Sequence, residues 1–246
     1  MQVNISGDPG RAAATQAANS LRQLLAGRES PRILVATGNS QLRFLELLTQ
    51  EPEIDWRRVE LFHLDEYIGI GTDHAASFAR YIQEKVIAPS GITHDHLLSG
   101  LPDYASLIAR IGSELTAKPV DLAFAGIGEN AHVAFNDPPA DFETEVPYLI
   151  VDLDDICRQQ QVGEGWFRTL AEVPKQAISI SVHELMKARE IICVVPDLRK
   201  ARAVAACLDG EVSPDVPASI LRLHLNAWLY LDADSASLLH SKLPVH

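Results

Sequence analysis

The sequence is poor in cysteine, in basic residues and in long apolar runs. Its 246 residues include three cysteines and no CxxC pair, so we expect a reduced intracellular protein without a disulfide framework. Only 21 Lys and Arg oppose 33 Asp and Glu, and the resulting net charge of −12 disfavours nucleic acid and anionic membranes as partners. No apolar stretch is long enough to predict a membrane-spanning helix.

The remaining bulk properties are those of an ordinary globular protein. Hydrophobic residues make up 47% and charged residues 22%, which excludes disorder as the main state. The length suits one α/β domain over residues 1–246, and no repeat or change of composition divides it. Residues 1–6 lack the basic and apolar parts of a secretory signal, so we expect a cytoplasmic protein.

Short apolar runs alternate with helical patterns along most of the chain. The alternation predicts an α/β fold with a doubly wound, mostly parallel sheet and helices on both faces. Predicted strands cover residues 31–36, 59–64, 122–126, 178–181, 191–195 and 228–231. Predicted helices cover residues 8–27, 75–87, 104–115 and 197–208, with a further helix around Leu42, Leu45 and Leu48.

Residues 138–174 break this rhythm. Pro138, Pro139 and Pro147 interrupt a segment of about thirty-seven residues that has no clear periodicity. Long irregular segments in compact domains are usually functional, so we predict a lid-like loop here. Ligands of doubly wound sheets bind at the carboxyl ends of the strands, which is where the remaining motifs lie.

The first strand end is followed by Thr37, Gly38, Asn39 and Ser40. Glycine permits a close backbone turn, and hydroxyl groups and free amides at a helix start can bind a phosphate. The same residue types also cap helices in short turns, so both interpretations stay open at this point.

A second strand ends in Asp65 and Glu66. Successive side chains of a strand point to opposite faces, so one carboxylate of the pair is expected to face the ligand crevice. A partly buried carboxylate there could act as a general base. A helix cap or a salt-bridged surface pair is the alternative.

The third strand runs into the sequence GIGENAHVAFND at 126–137. Histidine is the side chain best suited to proton transfer near neutral pH, and Asn130 and Asp137 could orient His132 or share its proton. A structural histidine is the alternative. The GxG at 126–128 does not extend to GxGxxG, so we expect no dinucleotide cofactor. A metal site at His94 and His96 is not expected either, because no further ligand cluster accompanies them.

These segments resemble the glucosamine-6-phosphate deaminase/6-phosphogluconolactonase family. The matching residues are LDEY at 64–67, GIGENAHVAFNDP at 126–138, ATGNS at 36–40 and the stretch IICVVPDLRKARAV at 191–204. Their order and spacing extend the resemblance over most of the chain. LDEY and the AFNDP continuation are more similar to the deaminase branch, since lactonases usually carry Arg after DE.

The resemblance implies a Rossmann-like fold that needs neither metal nor cofactor, and a small-molecule sugar phosphate as substrate. It makes Asp65 the base that moves a proton between C2 and C1 of an open-chain amino sugar. It makes His132 the group that assists ring opening, supported by Asn130 and Asp137. Phosphate binding falls to residues 37–40 and Lys200, with Glu66 as a further substrate-binding candidate.

The chain departs from the family pattern at several positions. Asp137 stands where deaminases typically have Glu, and Ala131 where Gly is usual. The family carries an arginine just before an aromatic pair in the lid. Here Gly165 precedes the pair Trp166-Phe167, and Arg158 and Arg168 are the candidate substitutes. Two alternatives to a deaminase therefore remain: a 6-phosphogluconolactonase or other sugar-phosphate isomerase, and a non-catalytic sugar-phosphate sensor. The family includes monomers and oligomers, so a homo-oligomer is possible.

Overall fold

A computed structural model describes residues 1–27, 30–99 and 103–240 of the protein. Its strands are β1 (Gln2–Ile5), β2 (Arg32–Val35), β3 (Glu60–His63), β4 (Asp65–Tyr67), β5 (His94–His96), β6 (Leu122–Ala125), β7 (Tyr148–Asp152), β8 (Gln176–Ile180), β9 (Glu190–Val195) and β10 (Ala227–Leu231). Its α-helices are α1 (Pro9–Ala26), α2 (Asn39–Thr49), α3 (Phe78–Ile82), α4 (Ala88–Ser90), α5 (Tyr104–Thr116), α6 (Asp155–Gly163), α7 (Val182–Leu185) and α8 (Ala201–Asp209).

Seven parallel strands form the main sheet, in the order β1-β10-β9-β6-β2-β3-β5. The chain moves outward from β2 to β3 and β5, then returns to place β6 on the other side of β2. The strand order therefore reverses between β2 and β6, where a crevice opens at the carboxyl ends of the strands. The predicted doubly wound, mostly parallel sheet is confirmed.

Helices cover both faces of the main sheet. Ile33 and Val35 of β2 pack in the cluster that contains α1 and α2, whereas Leu34 packs in the cluster that contains α5 and α8. Side chains of a strand alternate between faces, so two apolar layers form from each continuous apolar strand. Within the described ranges, none of the helices combines the length and apolar character that crossing a membrane requires.

A second, antiparallel sheet corrects two predictions. The predicted strand at 178–181 belongs to β8, which pairs with β4 and β7 in the order β4-β8-β7 and not with the main sheet. The segment 138–174 is only partly irregular, because it contains β7 and α6 as well as a 3₁₀ turn at Leu170–Glu172. Leu64 joins the two sheets: its N–H donates to Val35 O (3.0 Å), and its carbonyl accepts from Ile180 N (3.0 Å).

The helix predicted at 75–87 begins later and ends later. The Ser77 side chain caps α3 by accepting from Arg80 N, so the helix starts at Phe78. It continues through a π-helical turn at Gln83–Ile87 into α4, which ends before Gly91 in the left-handed conformation (φ 76°). Further 3₁₀ turns span Trp56–Arg58, Leu198–Lys200 and Pro217–Leu223.

Candidate active site

A cavity opens at the carboxyl ends of β2, β3, β6 and β9, where the strand order reverses. Its volume is about 490 Å³, including its solvent-open mouth. Seven residues predicted from the sequence line it: Thr37, Gly38, Asn39, Ser40, Asp65, His132 and Lys200. Asn130, Asp137 and Glu66 are not part of this lining.

One end of the cavity is built to accept an anion. The loop after β2 turns at Gly38 (φ 93°), a conformation that side chains other than glycine rarely adopt, and α2 begins at the next residue. The first N–H groups of a helix lack partners within it and favour negative charge. Thr37 Oγ1 is buried here without a hydrogen-bond partner among the described residues.

Lys200 adds a positive charge to this end. Its side chain is only 4% exposed, and its ammonium group donates no hydrogen bond and forms no ion pair within the described part of the chain. Asp197 (φ 91°) reverses the chain after β9, and the 3₁₀ turn that follows carries Lys200 to the cavity. Burial lowers the pKa of Lys200, so an anionic ligand would be its natural partner.

Asp65 faces the cavity from the junction of the two sheets. It is 6% exposed, and no donor in the described residues bonds to its carboxylate. Burial, together with the charge of neighbouring Glu66, raises the pKa of Asp65 to about 8. A carboxyl group whose proton affinity has been raised in this way is suited to general acid–base chemistry.

Glu66 points away from the cavity, on the opposite side of β4. Its carboxylate accepts hydrogen bonds from the backbone N–H groups of Tyr67 (2.9 Å), Phe78 (3.2 Å) and Ala79 (2.7 Å), and from Ser77 Oγ (2.9 Å). Burial nevertheless raises its pKa to about 7. The substrate-binding role predicted for Glu66 is therefore not supported by the geometry, which indicates that Glu66 fastens α3 to β4.

His132 is held by a cluster that lies behind the cavity wall. Its Nδ1 lies 3.1 Å from Asp137 Oδ1, although the angle is not that of a well-formed hydrogen bond. Asn130 Nδ2 donates to Asp137 Oδ1 (2.9 Å) and to Asp154 Oδ2 (2.8 Å), and Asn130 Oδ1 accepts from His132 N (3.1 Å). Burial alone would raise the pKa of Asp137. The interaction with His132 and the hydrogen bonds from Asn130 and Asp154 N have the larger combined effect, so this pKa lies below its usual value.

The backbone around His132 explains two small residues of the motif. A Cβ at Gly128 would lie only 2.2 Å from His132 Cε1, so the ring packs where any larger side chain would stand. Ala131 adopts φ 67°, the left-handed region that favours glycine. The alanine at this position therefore carries a strain that a glycine would avoid.

His132, Asp137 and Cys157 have potential ligand atoms within 4.8 Å of one another, the arrangement that comes nearest to a metal site in the described ranges. Burial raises the pKa of Cys157 well above its usual value, and the nearby Asp137 adds to this. A protonated thiol is a poor metal ligand. His96 bonds to Glu60 (2.9 Å) and stacks on Phe62, as expected for a structural histidine.

The segment 138–174, called the lid below, contributes cavity residues that were not predicted from the sequence. Gln160, Gln161 and Glu164, from α6 and its C-terminal end, line the cavity. Gln160 fastens the lid by accepting from Glu129 N (2.8 Å), whereas Gln161 Oε1 is buried without a partner. The start of α6 could have been predicted from Asp154, because an aspartate is a favoured N-cap residue. Its side chain accepts from Cys157 N.

Neither arginine considered as a substitute for the missing lid arginine reaches the cavity. Arg158 is buried and donates to Asp155, Leu170 O and Val173 O, so it holds the lid together. Arg168 is exposed and pairs with Glu172 (3.0 Å). Phe167, two residues after Gly165, packs edge-on against Tyr67 and anchors the lid to the small sheet.

Comparison with known proteins matches residues 8–229 to the family described as glucosamine-6-phosphate isomerases/6-phosphogluconolactonase. The chain belongs to this family. A glucosamine-6-phosphate deaminase of Streptococcus suis is 34% identical over 226 residues, which cover 91% of this chain and 94% of that protein. One of Oenococcus oeni is 32% identical over 209 residues, covering 85% of this chain and 86% of that protein.

Solved structures of the glucosamine-6-phosphate isomerase/6-phosphogluconolactonase family share the fold. A monomeric glucosamine-6-phosphate deaminase superposes with a TM-score of 0.88 at 24% identity, over 97% of this chain and 100% of the other. The 6-phosphogluconolactonase of Thermotoga maritima gives a TM-score of 0.77 at 16% identity, over 94% and 100%. At these identities the superpositions establish the fold of the chain, and they do not by themselves identify its substrate.

Proposed function

We propose that the protein is a glucosamine-6-phosphate deaminase, which converts glucosamine 6-phosphate and water into fructose 6-phosphate and ammonia. The observation that carries the proposal is that Asp65 and His132 line the same cavity as the anion-binding end formed by residues 37–40 and Lys200. Membership of the family and the deaminase names of the relatives support the same reaction.

The cavity suggests how the substrate lies. Its phosphate occupies the start of α2 beside Lys200, where helix N–H groups and an unpaired ammonium group can neutralise it. The sugar then extends toward Asp65 and His132. Gln161, with its buried and unpartnered amide oxygen, is available to a hydroxyl or ammonium group of the sugar.

Several proton transfers follow from this placement. His132, oriented by Asp137, takes the proton of the C1 hydroxyl and delivers a proton to the ring oxygen as the ring opens to the aldehyde. Asp65 removes the proton from C2 and returns it to C1, while the C1 oxygen gains the proton that the nitrogen loses, which turns the aldose amine into a ketose imine. Water then adds to the imine carbon, and ammonia leaves. The raised pKa of Asp65 allows it to hold the transferred proton between the two carbons.

The experiment that tests the proposal is ammonia release from glucosamine 6-phosphate by the purified protein. We expect turnover by the wild type and none above background by Asp65→Asn, which removes the base but keeps the size of the side chain. His132→Ala should lose most of the activity. If the wild type releases no more ammonia than Asp65→Asn, the proposal is wrong.

The alternatives predict different results. A 6-phosphogluconolactonase would hydrolyse its lactone in Asp65→Asn and fail in His132→Ala, because water activation needs only the histidine. A non-catalytic sensor would bind hexose phosphates without turnover. The short side chain of Asp137 and the missing lid arginine were the arguments for a sensor. The Asp137 carboxylate lies 3.1 Å from His132 Nδ1, whereas neither Arg158 nor Arg168 lines the cavity.

Three predictions about the whole protein accompany the proposed activity. We propose a cytoplasmic enzyme, in keeping with its three unpaired cysteines. We also propose that residues 1–246 act as one domain. A homo-oligomer stays a prediction, which light scattering on the purified protein would test.

A further inference from the structure

The anion-binding end of the cavity already contains a carboxylate of the protein itself. Glu164, at the C-terminal end of α6, places Oε2 at the start of α2, where it accepts from Asn39 N at 3.4 Å. The Asn39 side chain also donates to the carbonyl of Glu164 (3.2 Å). Glu164 lines the same cavity as Thr37, Gly38 and Lys200.

We propose that Glu164 is an intramolecular competitor for the phosphate of the substrate, and that it leaves the start of α2 when the phosphate binds. The residue thereby sets the affinity for phosphorylated sugars. This inference rests on the proposed function only in taking a phosphate monoester as the ligand of this end of the cavity.

Three contacts hold the Glu164 carboxylate in this position. Besides Asn39 N, Oε2 accepts from Trp166 Nε1 (3.3 Å), and Oε1 accepts from Gln160 Nε2 (2.7 Å). The two contacts to α2 are long or made by exposed groups, and Gly165 (φ 86°) follows Glu164 directly. The carboxylate is thus held more closely by residues of its own segment than by the helix start, and the contact with Asn39 N is the longest of the three.

The charges around Lys200 favour competition between Glu164 and a phosphate. Glu164 and, more weakly, Glu129 act on the buried ammonium group of Lys200, which has no ion-pair partner in the described residues. A phosphate dianion placed on the same N–H groups would stand within a few ångströms of the Glu164 charge. Repulsion between charges this close is only partly screened in a cavity, so binding of the phosphate favours departure of the Glu164 carboxylate.

Binding of inorganic phosphate, measured by calorimetry on the full-length protein, tests the proposal. Glu164→Gln should bind phosphate about two- to fivefold more tightly, the effect of one charge at a helix start. Glu129→Gln is the matched control, because it removes the same charge near Lys200 from a residue outside the cavity, 3.7 Å from Arg199. Its dissociation constant should stay within about 1.5-fold of wild type, since solvent screens the more distant charge.

Three results would overturn the proposal. The first is a phosphate affinity of Glu164→Gln that equals or falls below that of Glu129→Gln. The second is undetectable phosphate binding by both the wild type and Glu164→Gln. The third concerns Glu164→Ala, which also removes the contact to Asn39 N and should bind phosphate at least as tightly as Glu164→Gln; weaker binding than wild type would show that the carboxylate supports the site.

A spectroscopic readout reports the predicted movement. Because Trp166 Nε1 bonds to Glu164, phosphate should change the tryptophan fluorescence of the wild type but not of Trp166→Phe. An identical change in both proteins would place the response at another tryptophan and contradict the displacement. Neither calorimetry nor fluorescence requires turnover. A protein that fails the ammonia assay can therefore still show displacement of Glu164 by phosphate, and an active enzyme can fail to show it.

Discussion

Gly128 lies directly against the ring of His132, so replacing it with alanine tests how that ring is positioned. The added Cβ would lie 2.2 Å from Cε1, 2.3 Å from Nδ1 and 2.4 Å from Nε2. Carbon atoms that are not bonded approach to about 3.5 Å, so the ring would have to move by about 1.3 Å. That displacement is large enough to disrupt the 3.1 Å contact with Asp137.

A catalytic group displaced by about 1 Å can lose about 100-fold in rate, so Gly128→Ala should lower kcat for ammonia release by about that factor. Overpacking should also cost about 1–3 kcal/mol of the free energy of unfolding, which thermal denaturation would measure. Gly163→Ala is the control, because its new Cβ would meet nothing closer than Arg199 at 3.9 Å. A folded Gly128→Ala protein with kcat near that of wild type would refute this account of His132.

Three further predictions concern Asp65 and Gln161. Because burial and the charge of Glu66 raise the pKa of Asp65 to about 8, kcat/KM should climb between about pH 6 and pH 9; a flat profile in that range would contradict the assigned base. The unfolded chain releases the Asp65 proton near pH 4, so the free energy of unfolding should fall as pH rises from about 4 to 8. Asp65→Asn should therefore have a higher Tm than wild type at pH 8 but not at pH 4, and equal Tm values at pH 8 would count against a buried charge. Gln161→Leu should raise KM severalfold with kcat and Tm nearly unchanged, since the buried amide has no other partner; an unaltered KM would remove it from the substrate contacts.

The five inner strands of the main sheet were predictable because they are largely apolar on both faces, whereas the edge strands β1 and β5, which are not fully buried, were not predicted. β2, β6 and β9 are buried along their whole length, and such runs stand out from the polar helices and loops between them. The small sheet was not predictable in the same way. β4 has three residues, β7 buries only one of its five, and the pairing of β4 with β8 joins residues more than 100 positions apart.

The lid helix was missed for a related reason. Residues 155–163 are rich in glutamine and charged side chains, so no apolar stripe marks them as helical. Two of these polar residues, Gln160 and Gln161, are buried against the cavity and not against an apolar core. Periodicity identifies helices by their contacts with a core, and it cannot recognise a helix that faces a ligand cavity.

The motifs themselves located the cavity because each follows a strand of the main sheet. Parallel strands bring their carboxyl ends to one edge, so residues 37–40, 65, 132 and 200 meet although they are far apart in sequence. The direction of each side chain could not be predicted from these motifs. The direction of Glu66 depends on the backbone N–H groups that α3 offers it, and those depend on where Ser77 caps the helix.

A chain of net charge −12 can bind an anion only if it concentrates opposing charge in one place. Here the positive charge at the cavity comes from fixed groups. They are the N–H groups at the start of α2 and Lys200, which has no ion-pair partner in the described ranges. Surface arginines contribute little, since Arg199 is already paired with Asp197 (2.9 Å) and Arg168 with Glu172. Glu164 then weakens the site from within, so the affinity for phosphate reflects a balance between the helix start, Lys200 and one movable carboxylate.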